Sequence, residues 1–467
     1  MKSIIFIFNK ININLMLRSV SKKTFNYTKV MTIPNSNSNL IQEEFPKSQS
    51  KLNNFSSLAN DSLSLSILSS LLIDLPAEKQ SISLFSDPQS NKEFSSFLED
   101  RWHHYQSTFI SNGAYSDSIG NMTVRRGVAN FIENRDSHKS ELSQIFVLNG
   151  SSTAFLTFIT GMLAGKQEAV LLPSPLSFDY ARQIKIVNGS MISYKAIENQ
   201  EGSQLMGMKK ALKEANLKGI RPKVLTVVNP GMVNGSLLSV QEIRGIIDLA
   251  HKENLVILVD EKSQEVVLGD KPFVSFKKVL SEHPNLEARK SVELISLHSI
   301  SHSLTPSNMI GAYSELVNID PEVYNQMLKL YSITLCGNCI GQIAVDLQVR
   351  REEYLESFSQ NVRNLFDLEK EYNKKMLTQN FEDLRQVLED SGKLELKGEN
   401  NSFYSFYQMK SQQQNSMKLA REIEAIIGIS AEPGETFGMP GYIRFDKFSE
   451  ISDHKKNLLS ELTKKLN

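Results

Sequence analysis

Short apolar runs alternate with amphipathic stretches from about residue 63 to the end of the chain. Apolar residues fill 145–148, 169–172 and 255–259 and, apart from Thr226, 224–228, and a further run at 292–297 is broken only by Glu293 and Ser296. Each is too short for a buried helix and largely aliphatic, so each predicts a strand covered on both faces. Helical patterns lie between them. Residues 63–75 predict an apolar helix, and 94–107 a second that holds the only tryptophan, Trp102. In 124–134 the apolar positions Val124, Val128, Phe131 and Ile132 recur with a period near four. Residues 153–163 and 240–252 predict two more helices, the latter opened by Ser239 and Glu242 at capping-box spacing. Strands and helices in this alternation predict an α/β fold, a mostly parallel sheet sandwiched by helices in a large domain. Sites in such sheets form at the carboxyl ends of strands, where Asn149, Asn229 and Asp260 stand.

After about Pro321 the pattern changes. Residues 352–375 predict a long charged helix, and 394–396, 404–407 and 442–445 predict antiparallel strands. These form a smaller α+β C-terminal domain. The expected layout is a presequence and polar linker over 1–54 and N-terminal helices joining the small domain over 55–110. The large α/β domain then covers 111–330, and the small domain 331–467. No internal repeat is visible.

Composition narrows the function classes. Lys+Arg and Asp+Glu balance at 52 each in 467 residues, which points away from a nucleic-acid or acidic-membrane partner. No apolar run approaches the ~20 residues of a membrane-spanning helix. The only cysteines, Cys336 and Cys339, fall in 317–349, which reads as helical, so they are expected to be reduced thiols. No cluster has metal-ligand spacing. The first forty residues carry six Lys or Arg (Lys2, Lys10, Arg18, Lys22, Lys23, Lys29), and the first acid is Glu43. With the apolar-rich stretch 4–17, that is the composition of a mitochondrial transit peptide, with a basic tail as the alternative. A start at Met31 would leave a cytoplasmic form.

Seven segments in order carry a resemblance. They are Gly113 to Gly120, Phe131 to Asp136 and Asn149-Gly-Ser-Ser152, then Asn229-Pro-Gly-Met-Val-Asn-Gly235, Asp260-Glu-Lys-Ser-Gln264, Ser296-Leu-His-Ser-Ile-Ser301 and Tyr442-Ile-Arg444. Together they resemble class I/II aminotransferases of pyridoxal-phosphate fold type I, and most closely alanine aminotransferases. The resemblance implies pyridoxal phosphate as cofactor, a homodimer and amino-acid/keto-acid ancestry. It implies that Asp260 pairs with the cofactor's pyridine nitrogen, keeping the ring an electron sink. It implies that Ser151, Ser152 and Ser299 bind phosphate through a helix N-terminus and hydroxyls. Arg444 would grip the substrate α-carboxylate in a bidentate pair.

The departures from the family pattern fall at the cofactor. His302 stands where the family has the lysine that forms the Schiff base, and imidazole has no primary amine to do so. Met232 replaces an asparagine and Ser263 a tyrosine, both of which hydrogen-bond the ring's phenolic oxygen. Ser177 replaces the tyrosine that stacks on the ring, and Ile310 the phosphate-binding arginine. A lost charge-assisted phosphate contact removes roughly 1.5–3 kcal/mol, and a lost stacking aromatic roughly 1 kcal/mol. Weak or absent cofactor binding is therefore expected, with no residue confidently catalytic. Lys262, two residues after Asp260, is the nearest relocated amine and in a strand would share its face.

Three functions fit. The first is a pseudoenzyme that has lost transamination and acts as a homodimer, or as a heterodimer with an active paralogue. The second is a retained transaminase moving an amino group between L-alanine and 2-oxoglutarate. The third is a regulatory module binding a small amino acid or keto acid through Arg444.

Overall fold

The computed structural model describes residues 88–109, 115–196, 202–305, 309–333, 335–410, 415–448 and 451–464. Every described residue lies within 50–467, which forms one compact unit. The predicted helix at 63–75 and the presequence fall outside the described residues.

A seven-stranded sheet forms the centre of the larger part. Its strands are β1 (Ile145–Leu148), β2 (Glu168–Ser174), β3 (Ser190–Lys195), β4 (Arg221–Val228), β5 (Val256–Asp260), β6 (Leu294–Ser299) and β7 (Ala312–Val317). Their order is β1-β7-β6-β5-β4-β2-β3. Strands β2 to β6 pair in parallel, and β7 runs antiparallel to both β6 and β1. The sheet is therefore mostly parallel, as its aliphatic runs predict.

Alternation along β5 sorts the core onto two faces. Val256 and Leu258 pack with the helices Ser151–Met162, Phe178–Ile186 and Pro321–Ile333. Ile257 and Val259 pack with Ser203–Leu217, Val240–Glu253 and Phe276–Ser281. Asp260 continues the first series, and Glu261 turns toward the second. The capping box at Ser239 is present: its hydroxyl accepts from Glu242 N at 3.2 Å, and Glu242 accepts from Ser239 N at 2.9 Å.

Three strands are absent from the sequence reading. β3 lies at the sheet edge with half-exposed polar positions, and β7 buries Ser314 and Glu315. Neither gives the aliphatic signal of a doubly covered strand. The third, β10 (Ala431–Pro433), is only three residues long. The stretch 317–349 is not one helix. β7 ends at Val317, the helix Pro321–Ile333 follows, Leu335 takes the left-handed conformation (φ 69°), and a new helix begins at Cys339. Cys336 therefore precedes a helix, and neither cysteine is in a disulfide. The long charged helix lies at Gln360–Asp390, later than predicted, after the short helix Arg351–Glu356.

A second sheet of β8 (Leu394–Leu396), β9 (Tyr404–Met409), β10 (Ala431–Pro433) and β11 (Tyr442–Asp446) is antiparallel throughout, in the order β10-β11-β9-β8. It packs Tyr407, Ile443 and Phe445 against Leu384, Leu388, Ile423 and Leu459. The loop after β4 meets the segment after β8 closely. Glu399 N donates to Asn234 O at 2.8 Å, and a Cβ at Gly398 would stand 1.9 Å from that same oxygen. Among the described residues no helix is long and apolar enough to cross a membrane.

Candidate active site

β5 ends at Asp260, which is buried on the helix-covered face of the sheet. Three donors meet its carboxylate. Oδ1 accepts from Lys262 N at 3.1 Å. Oδ2 accepts from the Tyr180 hydroxyl and lies 2.9 Å from Lys262 Nζ. Burial pushes the Asp260 carboxyl up, but the Lys262 ammonium and the Tyr180 hydroxyl outweigh it and hold it below the usual carboxylate range. Tyr180 is in turn pushed well above its ordinary value by burial and by Asp260, so it stays a hydroxyl and a donor.

Lys262 lies in a turn rather than in a strand, because β5 stops at Asp260. Its side chain folds back along the turn, which is how the amine reaches the carboxylate. It also lies 3.5 Å from the Tyr180 hydroxyl and 5.7 Å from that ring's centroid. Tyr180 was missed in the sequence. It sits one turn into the helix Phe178–Ile186, edge-on to Phe155 at 4.7 Å, and no local pattern marks it.

His302 follows β6 in a turn. Its Nδ1 lies 3.0 Å from Ser301 Oγ, and Ser301 Oγ lies 2.9 Å from Ser299 Oγ. Burial, reinforced by the Lys262 and Arg444 cations and only partly opposed by Asp260, lowers the His302 imidazole to about 3. It is neutral in any ordinary buffer. Lys262, Asp260 and Arg444 all act electrostatically on this ring, so the two sheets bring their charges to one place.

Arg444 of β11 stands directly opposite Glu432 of β10 in the antiparallel register, and the two form a buried ion pair. Its guanidinium carbon lies 3.7 Å from the Tyr404 ring centroid and 4.5 Å from that of Phe437. One carboxylate and two aromatic rings thus contact the guanidinium.

The remaining predicted positions scatter around this centre. Ser151 and Ser152 open the helix Ser151–Met162, which has no side-chain cap and is preceded by Gly150 at φ 92°. Ile310 is 68 % exposed beside that N-terminus, its Cγ2 3.3 Å from where a Gly150 Cβ would be. Ser177 caps the helix Phe178–Ile186, accepting from Asp179 N at 3.4 Å. Ser263 is buried, and Met232 presents its carbonyl to Ser402 Oγ at 3.1 Å. Among the described residues no group of His, Cys, Asp and Glu side chains could hold a metal ion.

One side chain further on, Glu261 forms a separate buried pair. Its Oε1 accepts from Phe276 N at 2.8 Å, and its Oε2 lies 3.6 Å from His298 Nε2. Burial pushes Glu261 up to about 8 and drives His298 well down, so both are neutral near pH 7.

A family model described as aminotransferase class I and II matches residues 95–455. The chain is 36 % identical over 244 residues to a probable mitochondrial alanine aminotransferase of Dictyostelium discoideum, covering 51 % of this chain and 45 % of that protein. It is 34 % identical over 245 residues to an inactive alanine aminotransferase of Saccharomyces cerevisiae, covering 51 % and 48 %. The chain spans about half the length of these curated relatives. An alanine aminotransferase from Pyrococcus furiosus shares the fold, with a TM-score of 0.65, 17 % identity, and coverage of 78 % of this chain and 88 % of that one.

Proposed function

Because the chain belongs to the class I and II aminotransferase family, we propose that it is an alanine-aminotransferase-like protein that no longer transaminates. The observation that carries this is His302 at the position of the family's Schiff-base lysine. A neutral imidazole held at a pKa of about 3 offers neither a primary amine for the imine nor a base of useful strength near neutral pH. The residues present do not fit pyridoxal phosphate. Asp260 already accepts from three donors, Ile310 offers no charge to a phosphate, and Ser177 offers no ring to stack.

The partner we assign is a second copy or an active paralogue. Exposed apolar side chains support it. Tyr115, Met122, Ile310, Leu335 and Ile340 lie on segments tied together by Ser116 N to Cys336 Sγ (3.5 Å), Asn121 N to Gln342 Oε1 (2.7 Å) and Asn338 Nδ2 to Ile310 O (3.2 Å). Exposed apolar side chains gathered on linked segments read as an interaction surface. A mitochondrial address is supported by the basic first forty residues and by the name of the Dictyostelium relative.

The keto-acid module is less well supported, since Arg444 is committed to Glu432. The retained transaminase has one observation in its favour, the Lys262 amine at the site. Purified full chain, incubated with pyridoxal phosphate, is expected to show no new absorbance, no rise in Tm and no turnover of alanine with 2-oxoglutarate. Turnover above that of His302→Ala, or a pyridoxyl group found on Lys262 after borohydride reduction, would sink the proposal.

A further inference from the structure

We propose that Lys262 and Glu432 are built-in counter-ions: each neutralises one of the two charged anchors retained from the family, and together they close the site against pyridoxal phosphate and carboxylate substrates. This deepens the reading above and rests on it, because it explains how a site that has lost its lysine keeps Asp260 and Arg444.

Both anchors are buried, and a buried charge left without a partner is strongly destabilising. In a working member of the family the cofactor's pyridinium and the substrate's carboxylate would supply those partners. Here the chain supplies both. The Lys262 ammonium lies on Asp260 Oδ2 at 2.9 Å, where a protonated ring nitrogen would donate. The Glu432 carboxylate lies on Arg444, where a substrate carboxylate would bind. The two arrive by unrelated routes, one along the turn after β5 and one across the register of β10 and β11.

The consequence concerns ligands. A pyridinium approaching Asp260 would bring a second cation to a carboxylate that already accepts from three donors. It would also push Lys262, itself nearly buried, toward His302. A carboxylate approaching Arg444 would meet Glu432 already on this buried guanidinium, which also lies against Tyr404 and Phe437. Loss of the Schiff-base lysine is therefore not the only barrier to cofactor binding, and restoring it alone does not reopen the site.

The test measures pyridoxal phosphate binding to the full chain by equilibrium dialysis and absorbance, in wild type, His302→Lys, and His302→Lys with Lys262→Ala. The expected result is that His302→Lys binds no more than about threefold better than wild type, and that adding Lys262→Ala improves binding at least about tenfold, one unit in log Kd. Equal binding by the single and double variants overturns the assignment. Binding by wild type itself instead overturns the functional reading, so the two failures are distinguishable. Because Lys262→Ala strands Asp260, a thermal cycle of Lys262→Met, Asp260→Asn and their combination accompanies it. Each single change is expected to lower Tm by about 5 °C or more, and the pair to recover most of the loss. Additive losses overturn the counter-ion role.

Discussion

His302 shows how burial gives a single side chain a pH dependence. Its pKa falls from 6.5 in the unfolded chain to about 3 in the fold. Between those values the unfolded state binds a proton that the folded state does not, so stability falls as pH drops below about 6.5. The loss is about 1–2 kcal/mol by pH 5. His302→Gln is expected to flatten denaturant-measured stability between pH 7 and pH 5, and an unchanged slope would contradict the burial of this ring. Glu261 has the opposite sign. Its carboxyl is raised to about 8, so its contribution is fully present below about 4.5 and is lost as pH rises toward 8. Glu261→Gln is expected to be at least as stable as wild type at pH 8 and to remove that decline. Destabilisation at pH 8 would mean the group is ionised in the fold. The type of each of these residues is plain in the sequence. Their pKa values are not, because desolvation depends on what the fold packs around them.

Strands and helices were legible in proportion to how evenly they are buried. β4 and β5 are covered on both faces and read as aliphatic runs. β3 and β7 carry polar residues for local reasons, an exposed edge in one and the Glu315–Lys277 pair at 3.0 Å in the other, and so were invisible. Helix ends behave likewise: the box at Ser239 is a local motif, and it formed as spaced. Ser239→Ala is expected to cost about 1 kcal/mol in urea denaturation, and Glu242→Ala somewhat more, because Glu242 also accepts from Gly202 N at 3.3 Å. A neutral result for Ser239→Ala would mean that tertiary packing alone holds this helix start.

At the scale of the molecule, one contact between its two sheets lies where the loop after β4 meets the segment after β8. Gly398 has a φ of 132° and no room for a Cβ beside Asn234. Gly398→Ala is expected to cost about 3 kcal/mol or more, read as a lower Tm. A change under about 1 kcal/mol would show that this joint yields. Association belongs here too. Full chain is expected to sediment as a dimer, and Tyr115→Asp, at a side chain 76 % exposed, to shift it toward monomer. A wild-type monomer would remove the patch from the interface. From its residues alone the chain could be assigned to the α/β class, placed in its family by seven ordered segments, and marked as degenerate at His302, Met232, Ser263, Ser177 and Ile310. All of these follow from local identity and periodicity. Only the tertiary structure could bring Tyr180 and Lys262 to Asp260 and set Glu432 against Arg444. Those contacts join residues far apart in sequence or folded back through a turn, and it is burial that makes each charge require a partner.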